Sequence, residues 1–269
     1  MVITMTKVLE IAKAIERLAP KQLAEPWDNV GLMVGDEQQY VDTVYLTLDV
    51  TSSNVDEAIR SGAQLIVSHH PLLFSPLKSV TEQTVTGSIV RSLIQNNISV
   101  YSAHTNLDKA EGGMNDILCE KLGINDVRPY TPDECIDPNG SVLDNIGRIG
   151  ILDTPTEMAD FVDYVKNVLG CRAISYTGDL SDVVTTAAVC SGSGGDLIYN
   201  AYNAGADVYI TSEIKHHEAQ LALELGINLI DAGHFETENI VCDFMEDYLS
   251  LRFPDINFIK SSAEPYKLR

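Results

Sequence analysis

Short β-branched runs alternate with stretches of helical periodicity along this chain, which is the pattern of an α/β fold. Strands are expected at 43–50 (TVYLTLDV), 64–68 (QLIVS), 98–102 (ISVYS), 148–152 (RIGIL), 184–190 (VTTAAVC), 207–211 (DVYIT) and 227–231 (INLID). Helices are expected at 5–18, 53–61, 86–96, 114–122, 157–168, 195–204, 215–225 and 237–249. The opening MVITMTKVLEIAKAIERL mixes charges into its apolar positions and reads as an amphipathic helix, not a signal peptide. No apolar run approaches the roughly 20 residues that a membrane helix needs. The Pro- and Asp-rich stretch RPYTPDECIDPNGSVLDN (128–145) reads as a connector. The chain thus divides into a first α/β half (1–127), a connector (128–146) and a second α/β half (147–269). The C-terminal segment of the second half can pack back on the first.

The two halves resemble each other. SGAQLIVS (61–68) aligns with AGADVYIT (204–211) at an offset of 143, and VYLTLDVTSSNVDEAI (44–59) with VVTTAAVCSGSGGDLI (183–198) at 139. SVYSAHTNLD (99–108) aligns with LIDAGHFETE (229–238) at 130. The first half therefore carries about 13 extra residues, for which SPLKSVTEQTVTG (75–87) is the plausible loop. Three pairs in one order point to duplication, and two related α/β domains would leave a ligand cleft between them.

Charge narrows the chemistry. Against 18 Lys+Arg stand 39 Asp+Glu, a formal net charge of −21. Such a field repels phosphate backbones and argues against a non-specific nucleic-acid binder, although a bound metal can reverse the local sign. The five cysteines (119, 135, 171, 190 and 242) are scattered and contain no C-x-x-C pair. This suits a reducing cytoplasm and argues against a disulfide framework or a thiolate zinc site.

The six histidines all fall at or just after strand exits: His69, His70, His104, His216, His217 and His234. In open α/β sheets the functional crevice lies beyond the carboxyl ends of strands. Imidazole plus carboxylate without thiolate is the ligand set of Zn, Mn, Fe or Co sites. His234 and Glu238 are four apart, so one helical turn brings them onto one face. His104 and Asp108 repeat that spacing. His69, His70, Asp108, His234 and Glu238 make five ligands, more than one catalytic tetrahedral metal uses. They suit two metals roughly 3.5–4 Å apart, with Glu238 as the bridge. His104 and His217 are candidate proton-transfer groups, and His216 reads as a solvated helix residue. In CSGSGGDL (190–197), Ser191, Gly192, Ser193 and Gly194 could turn backbone amides toward a phosphate or carboxylate. An ordinary serine-capped strand–helix turn is an equal reading of that loop. No G-x-S-x-G elbow exists, which disfavours a serine hydrolase. PWDNVGL (26–32) holds the only tryptophan and reads as an ordinary packed loop.

At LAEPWDNVGLMVG, SHHPLLF, SAHTNLDKAEGGMND, TSEIKHHEA and DAGHFETE the sequence resembles the Nif-three-like family, whose members are commonly named GTP cyclohydrolase 1 type 2 homologues. The motifs run in order over nearly the whole chain. The resemblance implies two α/β domains holding a dinuclear metal centre in a cleft, and subunits assembled as a homohexamer. The family's five ligand positions fall on His69, His70, Asp108, His234 and Glu238, with Glu238 touching both metals. The implied reaction opens the imidazole ring of GTP at C8 and releases formate. Two alternatives stand beside it: a metal-binding regulatory or assembly protein without turnover, and a metal-dependent phosphodiesterase.

Overall fold

The computed structural model describes residues 5–130 and 146–265. Its strands are β1 (Gly31–Val34), β2 (Thr43–Thr47), β3 (Leu65–Ser68), β4 (Ser99–Ser102), β5 (Ile124–Pro129), β6 (Arg148–Glu157), β7 (Ser175–Thr177), β8 (Val183–Ser193), β9 (Val208–Ser212), β10 (Asn228–Asp231) and β11 (Asn257–Lys260). They form two sheets, ordered β1-β4-β3-β2-β11 and β5-β6-β8-β9-β10-β7, so the fold is mixed α/β. The chain divides into two compact units. One holds the residues up to Glu111 together with Val241–Pro265, and the other holds Gly112–Ile240. Helix Met114–Lys121 and β5 therefore count with the second unit, ahead of the compositional connector. Residues 131–145 of that connector, Cys135 among them, lie outside the described residues.

In the first unit β2, β3, β4 and β11 are parallel, and β1 closes the edge antiparallel to β4. Tyr45, Ile66 and Val100 cluster with Val55, Ala58, Ile89 and Leu93 from helices Ser52–Arg60 and Val85–Gln95. On the other face Leu46, Val67, Leu107, Val241 and Met245 line one small cavity. There Tyr248 of helix Ile240–Ser250 donates to the Ala14 carbonyl of helix Val8–Leu18. Helix Val8–Leu18 buries Val8, Ile11, Ala12, Ala14 and Ile15, which is an apolar stripe at helical spacing.

The second unit sorts its core by strand alternation. Ala187, Val189, Val208, Ile210 and Ile230 face helices Met114–Lys121 and Met158–Leu169. Ala188, Cys190, Tyr209 and Leu229 face helices Ile198–Asn203 and His216–Leu225. Parallel strands covered on both faces need this near-continuous apolar run.

The parallel trio β2-β3-β4 recurs as β8-β9-β10, which corrects the repeat register. Val44 sits opposite Leu65 and Ala187 opposite Val208, so β2 and β8 share the offset of 143, and the alignment at 139 was four residues out. Asp49 thereby corresponds to Gly192. Leu65 sits opposite Ser99 and Val208 opposite Asn228. The second unit then inserts one residue, Gly233 (φ 89°), before its histidine turn. The extra length of the first unit lies between β3 and its following helix. Residues 69–84 make that connection, against only 213–215 after β9. The expected strands are present with altered ends: β8 runs on to Ser193 and β6 to Glu157. The short strands β1, β5, β7 and β11 were not expected, whereas the helical turns Thr105–Lys109 and His234–Glu238 stand where the histidine-to-acid spacing put them.

Candidate metal centre

In the first unit the chain leaves β3 straight into His69 and His70. Their amides donate to the carbonyls of Thr47 and Leu48 at 3.2 and 2.9 Å, holding both on the strand path until Pro71. His69 is buried, and its Nδ1 lies 2.9 Å from the Ala103 carbonyl oxygen. A carbonyl can only accept, so Nδ1 carries the proton and Nε2 the lone pair. His70 Nδ1 lies 2.8 Å from Asp49 Oδ1, and His104 Nδ1 lies 2.9 Å from Asp28 Oδ1. In the second unit His234 Nδ1 lies 3.1 Å from Glu213 Oε1. Each ring is thus anchored through Nδ1 to an oxygen, and Nε2 is the nitrogen presented to a cation. Metal-binding histidines are oriented in this way by their outer partners.

The rings of His69, His70 and His104 stand 5.2–5.5 Å apart between centroids, and one nitrogen from each lies within 4.8 Å of the others. This set could hold a metal ion. The buried Asp108, on turn Thr105–Lys109, brings Oδ1 to 3.5 Å from His69 Nε2. One helical turn brings Glu238 Oε2 to 2.8 Å from His234 Nε2, as the i,i+4 spacing requires. In both pairs an acceptor nitrogen faces a carboxylate oxygen. Only a cation between or on them, a proton or a metal ion, reconciles two acceptors at such range. The donor set of imidazoles and buried carboxylates fits a divalent transition ion.

Asp28 is built into this arrangement. Its side chain is fully buried, and Oδ2 accepts from the Thr105 amide (3.1 Å) and hydroxyl (2.5 Å). Burial alone would raise its pKa. Hydrogen bonds from His104 and Thr105 and the nearby His104 charge outweigh that and hold it at about 2. Trp27 lies edge-on to His104, with centroids 6.3 Å apart. The PWDN segment is therefore part of the site rather than ordinary packing.

The glycine run at the end of β8 makes room for carboxylates. Gly192 has φ 63°, and a Cβ there would stand 2.1 Å from Glu238 Oε1. A Cβ on Gly195 would stand 2.3 Å from Glu218 Oε2. The Ser191 amide donates to Asn115 Oδ1 and the Gly192 amide to Thr237 Oγ1, so neither points to a ligand. The Gly194 carbonyl accepts from Tyr209. The Ser191 hydroxyl is buried with no hydrogen-bond partner among the described residues. Ser193 ends β8, opposite Ser212. His217 is three-quarters exposed on the first turn of its helix, with Nε2 3.9 Å from Glu218 Oε1, and His216 is exposed beside it.

Asp28, Asp49 and Glu213 are the site residues that sequence reasoning missed. Glu213 had a signal, because the repeat sets it opposite His70. Asp49 follows β2 at a strand exit. Asp28 lies 76 residues from His104 and gave none beyond its neighbour Trp27.

A fold and a histidine–carboxylate site of this kind define a family. The family model for Duf34/NIF3 (NGG1p interacting factor 3) matches residues 6–266, and the chain belongs to this family. It is 37% identical over 267 residues to the GTP cyclohydrolase 1 type 2 homolog of Clostridium perfringens, covering 97% of this chain and 99% of that one. Among solved structures, the Bacillus cereus protein related to NIF3 superposes with a TM-score of 0.90 at 26% identity, covering 99% of this chain and all of the other. HcgD from Methanocaldococcus jannaschii, in its reduced form, gives 0.80 at 31% identity, covering 97% and 100%.

Proposed function

We propose that the protein is a dinuclear-metal hydrolase acting on a nucleotide such as GTP. The carrying observation is the common anchoring of four histidines through Nδ1, which leaves each Nε2 open to a cation: an ion for His69, His70 and His234, and a proton for His104. His69, His70 and Asp108 of the first unit and His234 and Glu238 of the second would hold the ions. The ions are Zn, Fe, Mn or Co. The names of the curated relatives support the GTP reading. Bound ions supply an activated water near neutral pH and stabilise developing negative charge.

The chain's own residues do the rest. His104, held by Asp28 in the tautomer with its lone pair on Nε2, takes up and returns a proton at that atom. The Ser191 hydroxyl is assigned to the phosphate end of the substrate, since the Ser191 and Gly192 amides are already engaged. His217, exposed on its helix, is a weaker second proton carrier. The working form is a homohexamer in the cytoplasm.

The test is formate release from GTP by protein of known metal content. Turnover that rises with metal occupancy and vanishes in His69→Ala supports the reading. Full occupancy without turnover of GTP or of phosphodiesters contradicts it and leaves a regulatory metal-binding protein.

A further inference from the structure

The first unit contains a cavity of about 850 Å³. Its walls come from the Trp27 loop, from the β1 exit and from the long β3 connection, which contributes Leu73, Phe74, Leu77 and Val80. That connection is the stretch by which the first unit exceeds the second, so the cavity belongs to the first unit alone. The volume falls within the roughly 300–1,000 Å³ range of small-molecule sites. Trp27 and Phe74 meet at its mouth with ring centroids 5.8 Å apart, and both are more than half exposed. Large aromatic rings left half-open around a concave wall offer faces for a flat ligand. Among the described residues the lining contains no Lys or Arg. Its two acids are Asp28, bound to His104 and Thr105, and Asp36, which accepts from the Gln38 amide. None of these described lining residues carries a cation to meet a phosphate. Trp27 links this cavity to the histidine cluster through its edge contact with His104.

We propose that this cavity is the subsite for an uncharged planar heteroaromatic ring, the base portion of the substrate, with the phosphate portion held elsewhere. The inference deepens the nucleotide-hydrolase reading and rests on it for the identity of the ring. Trp27 is the only tryptophan in the chain, so its emission reports the subsite directly.

The test is titration of Trp27 fluorescence with guanosine and, separately, with inorganic triphosphate, on metal-loaded and on chelator-stripped protein. Guanosine should change the emission saturably in both forms, and triphosphate should not. Phe74→Ala, at a half-exposed position, should weaken the guanosine response roughly tenfold, and Phe74→Tyr should restore it. Emission that ignores guanosine, an unchanged Phe74→Ala titration, or an equal response to triphosphate overturns the subsite. So does emission that follows protein concentration alone, which means that a second copy covers the cavity. The stripped arm separates the two claims: a guanosine response without metal retention on reloading keeps the subsite and sinks the metal centre, and the reverse sinks the subsite alone.

Discussion

The two units use the same three parallel strands and the same histidine-to-acid turn after the third, yet they furnish it differently. Where β3 runs into His69 and His70, β9 runs into Ser212 and Glu213. Where Asp49 follows β2, its counterpart Gly192 lies near the end of β8. In the first unit the exits supply imidazoles and a carboxylate that orients one of them. In the second unit they supply a carboxylate that orients His234 and a bare backbone against which Glu238 packs. Glu213 adopts φ 57° to do so, a left-handed conformation rare outside glycine. A duplicated frame thus repeats positions, not roles. In the proposed centre the first unit would provide most of the nitrogen donors, and the second would provide one nitrogen and the longer carboxylate.

The sharpest way to break this comparison is to remove donors from one unit at a time. His69→Ala with His70→Ala should abolish metal retention altogether, whereas His234→Ala with Glu238→Ala should leave weak binding at the first unit's set. Elemental analysis after dialysis decides it, and equal losses from both pairs would show the units to be equivalent.

Next comes the backbone at Gly192. Gly192→Ala places a Cβ against Glu238 at φ 63° and should destabilise the protein by about 2–3 kcal/mol while weakening metal binding. Gly226 has φ 72° and open space around it, so Gly226→Ala should cost only about 1 kcal/mol and leave metal affinity alone. Denaturant melts of the two variants compare clash with strain.

Orienting carboxylates rank third. Asp49→Ala, Asp28→Ala and Glu213→Ala should each lower metal affinity roughly 10–100-fold without removing a ligand. Glu213→Ala should have the smallest effect, because that side chain is half exposed. Competition with a chelating dye measures all three.

Acid titration isolates Asp28. Its folded pKa of about 2 lies below the ordinary 3.8, so its contribution to stability is complete above the ordinary value and is lost as pH falls through 2. In stripped protein, Asp28→Asn should cost about 1–2 kcal/mol near neutrality and progressively less in acid. A gap that stays constant with pH would mean that the buried carboxylate is not held ionised by His104 and Thr105.

Smallest are the cysteines. Burial pushes Cys171 to about 11 and Cys119 and Cys242 to about 12. All three should resist iodoacetamide at about pH 8 in the native protein and react once it is unfolded.

Much of this was legible from the sequence because it is local. The His104–Asp108 and His234–Glu238 turns follow from helical spacing, and the His69–His70 exit follows from strand-to-proline punctuation. The strands of the two parallel trios were readable from apolar runs. Their repeat register was not, since small residues such as those of VVTTAAV align equally well when shifted by four. Partners that are close only in space escaped: Asp28 meets His104 across 76 residues, and Gly192 serves Glu238 across the second unit. Short edge strands such as β7 carry too few residues to show a period. The glycine run looked like an anion cradle because glycine marks close approach without saying what approaches, and here side-chain carboxylates do so.

The most direct test of the central claim is metal stoichiometry, measured by titrating chelator-stripped protein and counting ions per chain by elemental analysis. The account predicts about two divalent ions per chain, the count a shared carboxylate between two sites requires. Near-zero retention after reconstitution would contradict it, and the Nδ1-anchored histidines would then be no more than a buried polar network.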